Sequence, residues 1–175
     1  LTQLVYYAAA SLDGVIATPE GGVDWLTLFK AEDSGYAEFY ASVDALLMGR
    51  RTYEQVLSFG NWPYAGKPTW VFSRRQLTVE VPEVTATDRD PREVVGELAA
   101  RHFQRIWLVG GAQLAASCRA SGLVSEYVVS ILPVLLGGGI PLFLPASPAE
   151  WLKFVDANVF PSGLVQLRYL RGIGA

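Results

Sequence analysis

The sequence predicts an α/β domain on a mixed sheet, mostly parallel with antiparallel C-terminal strands and with helices on both faces. Three observations carry that expectation. Short apolar runs at residues 4–10, 45–48 and 106–109 alternate with segments of helical period. The second and third runs end in glycine directly before a helix start, at Gly49 and at Gly110-Gly111. Beyond Ser121-Gly122, a C-terminal helix signal, helical period disappears, and residues 126–136, 140–144, 152–160 and 164–170 read as strands. Alternation of strands and helices followed by an all-strand end implies a sheet that is parallel first and antiparallel late.

In order, residues 4–10 form the first strand, and residues 11–17 turn out of it into a loop carrying Pro19, Gly21 and Gly22 before Asp24-Trp25. Asp33 or Ser34 is positioned to cap a helix in which Tyr36, Phe39, Tyr40 and Val43 recur at helical spacing. Their stripe reads as core. The next strand leads into a helix at Arg50, with Tyr53, Val56 and Leu57 facing inward. Residues 69–72 are aromatic and β-branched and end in Ser73-Arg74-Arg75, while residues 79–87 are a weak extended segment. Asp90, Pro91 and Glu93 then open a helix in capping-box fashion, with Val94, Leu98 and His102 along one face. His102, the only histidine, reads as an edge-of-core or helix-end residue and not as a base.

Length and an apolar share of 51% fit one domain over residues 1–175. A net charge of -3 argues against nucleic-acid or anionic-membrane partners, so the expected ligand is small. One cysteine and one histidine exclude a disulfide framework and argue against a zinc site, so no metal and a reducing cytoplasm are expected. Cys118 is assigned to core packing. The apolar segment 4–10 lacks a basic flank and reads as a strand and not as a signal peptide. Residues 127–149 are uncharged, but Pro133, Pro141, Pro145 and three consecutive glycines at 137–139 break any spanning helix. The same apolar length predicts a homodimer that covers it.

The chemistry is expected where strands end. Gly110-Gly111 lets phosphates approach the backbone, and the following helix turns its free N–H groups and positive dipole end toward them. Gly49, Arg50, Arg51 and Thr52 repeat the device with guanidinium forks and a hydroxyl. With Ser73 these ends should share one sheet edge, where open α/β sheets bind ligands. A dinucleotide-type Rossmann glycine fingerprint is absent near the first strand.

Six motifs in order, S-L-D-G-V-I-A at 11–17, V-D-W-L at 23–26, M-G-R-R-T-Y-E at 48–54, V-F-S-R at 71–74, V-G-G-A-Q-L at 109–114 and P-V-L-L-G-G-G-I-P-L-F at 133–143, resemble the dihydrofolate reductase superfamily. The similarity is closer to its branch related to the reductase domain of bifunctional riboflavin-biosynthesis proteins. The resemblance implies a dihydrofolate reductase-like fold and NADPH as cofactor. It sets Gly49, Arg50, Arg51 and Thr52 at the phosphates, Ser73 and Arg74 at the adenosine 2'-phosphate, and Gly110, Gly111, Ala112 and Gln113 at the pyrophosphate turn. Ala9 and Ile16 would line the nicotinamide. Asp24, Trp25 and Tyr36 are expected at the substrate, and Asp13 and Asp33 are the candidate acids, each with a turn or cap role as its alternative.

Two departures bear on the substrate. Matching from Trp25 brings Lys30 to the position where folate reductases carry their pterin-binding carboxylate, with Asp33 and Glu38 nearby. Val15 stands where riboflavin-pathway reductases commonly carry a lysine. The expected activity is an NADPH-dependent reduction of a small heterocycle, a pterin or a pyrimidine of the 5-amino-6-(5-phosphoribosylamino)uracil type. A sensor that kept the nucleotide cradle without turnover is the alternative.

Overall fold

The computed structural model describes residues 1–29, 34–145 and 149–172. Its strands are β1 (Gln3–Ser11), β2 (Val15–Ala17), β3 (Ala45–Gly49), β4 (Thr69–Phe72), β5 (Val84–Thr87), β6 (Arg105–Gly110), β7 (Glu126–Leu132), β8 (Ile140–Pro141), β9 (Leu152–Val159) and β10 (Val165–Arg171). The helices are α1 (Tyr36–Ser42), α2 (Arg50–Ser58), α3 (Pro91–Ala100) and α4 (Ala112–Ala120), with a 3-10 turn over Asp24–Leu28. Eight strands form one sheet in the order β5-β4-β3-β6-β1-β7-β10-β9. From β5 to β7 every neighbouring pair is parallel, and β10 runs antiparallel to both β7 and β9. This is the mixed sheet that the sequence predicts.

Both faces of the parallel part are covered, which is why its strands read as unbroken apolar runs. On one face Leu4, Tyr6, Leu47, Ile106 and Leu108 meet Val94 and Leu98 of α3 and Ala115 and Cys118 of α4. On the other, Val5, Tyr7, Leu46, Met48 and Trp107 meet Phe39 of α1 and Tyr53 and Val56 of α2. Cys118 is fully buried, in keeping with core packing. Asp90 caps α3 by accepting the Arg92 N–H at 2.7 Å, and Pro91 opens its first turn. Glu93 turns outward to Arg89 at 3.2 Å. His102 lies exposed just past that helix at φ 65°, a helix-end residue.

Several boundaries differ from expectation for local reasons. Gly35, at φ 67°, and not Ser34, is the N-cap of α1, because the chain enters that helix through the left-handed region. Asp33 lies outside the described residues. Strand β7 stops at Leu132 because Pro133 has no N–H for the ladder. Of residues 140–144 only Ile140–Pro141 is strand, and it pairs with β2 in a separate two-stranded sheet instead of extending the main one.

The apolar stretch 127–149 is also placed differently. Its first part is β7, interior between β1 and β10, and most of that strand is buried. Exposed apolar side chains concentrate instead on the edge strand β9 and just before it, with Trp151 and Val159 each 76% exposed and Phe154 56%. No helix among the described residues is long and apolar enough to cross a membrane.

Candidate functional site

Three strand ends meet at the carboxyl edge of the parallel strands. In the sheet register Gly49 is opposite Phe72, the residue before Ser73, and Met48 is opposite Gly110. Strand β6 follows β5 in the chain yet lies between β3 and β1. Strand order therefore turns back there, which opens a crevice beyond the strand ends.

Two helices begin at this crevice. Gly49 caps α2 and Gly111 caps α4, neither helix start has a side-chain cap bond, and neither first turn carries an acid. Their leading N–H groups and dipole ends thus face the crevice without a competing carboxylate. A Cβ added at Gly49 would stand 3.7 Å from the Gly111 nitrogen, and one at Gly111 would stand 3.4 Å from the Thr52 hydroxyl. The two helix starts are therefore neighbours. Gly110, joined to Gly111 by a cis peptide, has φ 119°, a conformation that favours glycine, and a Cβ there would meet no atom within 4 Å. Ala112 is buried and Gln113 exposed in the first turn of α4.

Arg50, Arg51 and Arg74 follow these strand ends in the chain. Arg50 is half-buried and contacts Glu54 at 3.6 Å, whereas Arg51 and Arg74 are exposed and have no ion-pair partner among the described residues. The Ser73 hydroxyl donates to the Arg75 carbonyl at 2.7 Å and accepts the Arg75 N–H at 3.2 Å, which fixes the turn that presents Arg74.

Beyond β1 the turn is tied down from several sides. The buried Ser11 hydroxyl donates to the Asp13 carboxylate at 2.5 Å and accepts the Val15 N–H at 2.9 Å. Asp13 itself is exposed, and its carboxylate accepts the N–H groups of Leu136 at 3.2 Å and Gly137 at 2.8 Å. The Ser11 hydroxyl first, and then these amides, hold its carboxyl below the usual range. Ala8 and Ala9 are the partly open positions between the buried Tyr7 and Ala10, and Ile16 of β2 packs partly on the core.

On the α1 side, Asp24 is exposed in the 3-10 turn, while the Trp25 indole N–H is buried with no hydrogen-bond partner among the described residues. Tyr36 lies 6.3 Å from Tyr7 and 5.8 Å from Trp107, ring to ring. Burial first, and then the neighbouring tyrosines, push its hydroxyl up to about 12. Three residues that sequence reasoning missed complete this side: Gln166 Nε2 is 3.1 Å from the Ser130 hydroxyl and 3.4 Å from that of Tyr7. Ser130 stands alone as a polar residue in the apolar run 127–132, whereas nothing local marks Gln166 beside Arg168 or Tyr7 in β1.

Comparison with known proteins fits this architecture. The profile of the RibD C-terminal domain matches residues 2–166. The uncharacterized Bacillus subtilis protein YwjB is 36% identical over 171 residues, covering 97% of this chain and 98% of its own. A second Bacillus subtilis protein, YyaP, also uncharacterized, is 33% identical, covering 95% of this chain and 94% of its own. A crystal structure from Shewanella sp. PV-4, provisionally assigned to riboflavin biosynthesis, superposes with a TM-score of 0.89 at 30% identity, covering 98% of this chain and all of that one. Acinetobacter baumannii RibD shares the fold, with a TM-score of 0.73 at 16% identity, covering 98% of this chain and 58% of its own.

Proposed function

We propose, because the chain belongs to the RibD C-terminal domain family, that it is a reductase using NADPH to reduce a small heterocycle, a pterin or a pyrimidine of the 5-amino-6-(5-phosphoribosylamino)uracil type. The observation that carries this reading is the meeting of two acid-free helix starts without side-chain cap bonds at neighbouring strand ends that Arg50, Arg51 and Arg74 follow in the chain. That arrangement fits a dinucleotide with a diphosphate and an additional phosphate.

In this reading Gly49, Arg50, Arg51 and Thr52 hold the phosphates, Gly110, Gly111, Ala112 and Gln113 lie at the pyrophosphate, and Ser73 and Arg74 hold the 2'-phosphate. Ala9 and Ile16 border the nicotinamide, and Asp24, Trp25 and Tyr36 border the substrate. NADPH supplies a hydride when bound. The chain's own work is to orient the acceptor over Ala9, exclude water and steer a proton. Asp13 and Asp33 are the proposed acids. The Asp13 carboxylate is engaged by Ser11, Leu136 and Gly137, and in this reading it also holds the turn beyond β1.

The proposed assembly is a homodimer joined through β9, supported by the apolar surface on that edge strand. The proposed setting is the cytoplasm, supported by a single, buried cysteine. The test is NADPH consumption monitored with pterin and aminopyrimidine acceptors. Acceptor-dependent oxidation supports a reductase, and tight NADPH binding with no turnover of any acceptor would favour a sensor.

A further inference from the structure

After β2 the chain carries the 3-10 turn of Asp24–Leu28 on a sparsely anchored segment, residues 18–29. None of these residues joins either core cluster, the 3-10 turn buries no side chain, and Leu28 is 80% exposed. Among the described residues one hydrogen bond ties the segment to another element: Gln55 of α2 donates from Nε2 to the Gly21 carbonyl at 2.6 Å. The others stay inside it. Thr18 N–H donates to the Gly22 carbonyl at 2.9 Å, Gly21 N–H to the Thr18 carbonyl at 2.8 Å, and the Thr27 hydroxyl to the Asp24 carbonyl at 2.6 Å. With so little packing and one outside bond, the segment belongs to the low-stability part of the fold, and that bond sets where it sits.

Gln55 follows Arg51 by four residues and Thr52 by three, so the three side chains share one face of α2. Thr52 is the residue whose hydroxyl borders Gly111, where the two helix starts meet. One helical face therefore carries a group at the crevice and, a turn later, the anchor of the segment. We infer that Gln55 is a positioning residue: it links the helix that opens at the crevice to the segment bearing Asp24 and Trp25, so that an anion held at the start of α2 steadies that segment. What fills the crevice rests on the reductase reading; the link rests on Gln55. Gly21 has φ 90°, a conformation that favours glycine, and its turn presents the carbonyl that Gln55 holds. Asp24 comes three residues later, and next to it the buried Trp25 indole N–H has no partner among the described residues. A buried donor left unpaired costs free energy, so the segment gains from any shift that supplies an acceptor, and its one tether limits that shift.

The test is amide hydrogen exchange of the full chain, read on peptides covering residues 18–28, alone and with saturating 2'-phospho-ADP-ribose. That probe carries the phosphates of NADPH and lacks the nicotinamide, so it fills the crevice with no ring to touch the segment. In the unmodified protein it should slow exchange over residues 18–28 by roughly two- to tenfold, the reach of one neutral hydrogen bond. Gln55→Met, of similar length and uncharged but without a donor, should raise ligand-free exchange there by a similar factor and abolish the probe's effect while the probe still binds. Gln55→Lys restores a donor and should return both. A packing role for the side chain would give the reverse order, with methionine tolerated and lysine not, and would overturn the inference. So would unchanged exchange in Gln55→Met, or a probe that binds the unmodified protein and leaves exchange over 18–28 unaltered. A probe that does not bind would overturn the reductase reading, whereas a rise in ligand-free exchange in Gln55→Met would still uphold the anchor.

Discussion

The Asp13 carboxylate accepts the Gly137 N–H at 2.8 Å, joining the turn beyond β1 to the glycine loop that precedes β8. The union is close: a Cβ at Gly139, where φ is 142°, would lie 2.7 Å from Val15 Cγ1 and overlap the Ala17 carbonyl. Asp13→Asn should therefore raise amide hydrogen exchange at Leu136 and Gly137, with little change in the core strands. Because the folded carboxyl is held below the ordinary aspartate value of about 3.9, its contribution is complete above that value. It fades as pH falls through the lowered folded value. Loop exchange that is the same in Asp13→Asn and the unmodified protein at neutral pH would count against the latch.

At the opposite, amino edge of the parallel strands, Glu126 is fully buried, held by Arg105 at 2.9 Å and Arg168 at 2.6 Å. Arg105 is the more buried partner, with 20% of its side chain exposed against 40% for Arg168. Removing it leaves the buried carboxylate with Arg168 as its one guanidinium partner among the described residues, and a bond to a charged group lost there costs roughly 1.5 to 3 kcal/mol. Arg105→Met should lower the urea midpoint clearly, and Arg168→Met by less. The reverse order would show that burial does not set the strength of this cluster.

Edge strand β9 leaves Phe154 and Val159 exposed beside Trp151. Replacing Phe154 and Val159 together by lysine should convert a dimer to a monomer in light scattering without lowering the melting temperature measured at high dilution. A monomer mass for the unmodified protein at micromolar concentration would remove the dimer.

Most of the sheet was legible because its strands are buried on both faces and its helices begin at glycine, proline or a capping side chain, all local signals. What was not legible depended on pairing between distant segments. Nothing near Ile140 tells that it leaves the main sheet for Val15 and Ala17. The apolar run 127–149 suggested an uncovered surface, but β10 returns to cover β7, and the exposure passes to β9. In the candidate site, Gly49, Ser73 and Gly110 could be read as strand ends from sequence, since each follows its own apolar run. The rung of Ala9, Ser130 and Gln166 could not, because its members are more than 30 residues apart and meet only through strand register.

The cradle is tested most directly by calorimetric titration of the full chain with NADPH and with NADH. Arg50 opens α2 and contacts Glu54, and Arg74 lies exposed in the Ser73 turn; both are the partners proposed for the 2'-phosphate. A charge-assisted bond contributes roughly 1.5 to 3 kcal/mol, less where solvent screens it. NADH offers only a hydroxyl there, so NADPH should bind about a hundredfold more tightly. Arg74→Ala should remove much of that difference by weakening NADPH alone, and His102→Ala should leave both affinities unchanged. Equal affinity for the two cofactors would contradict the role of the arginines, and no binding of either would contradict the cradle itself.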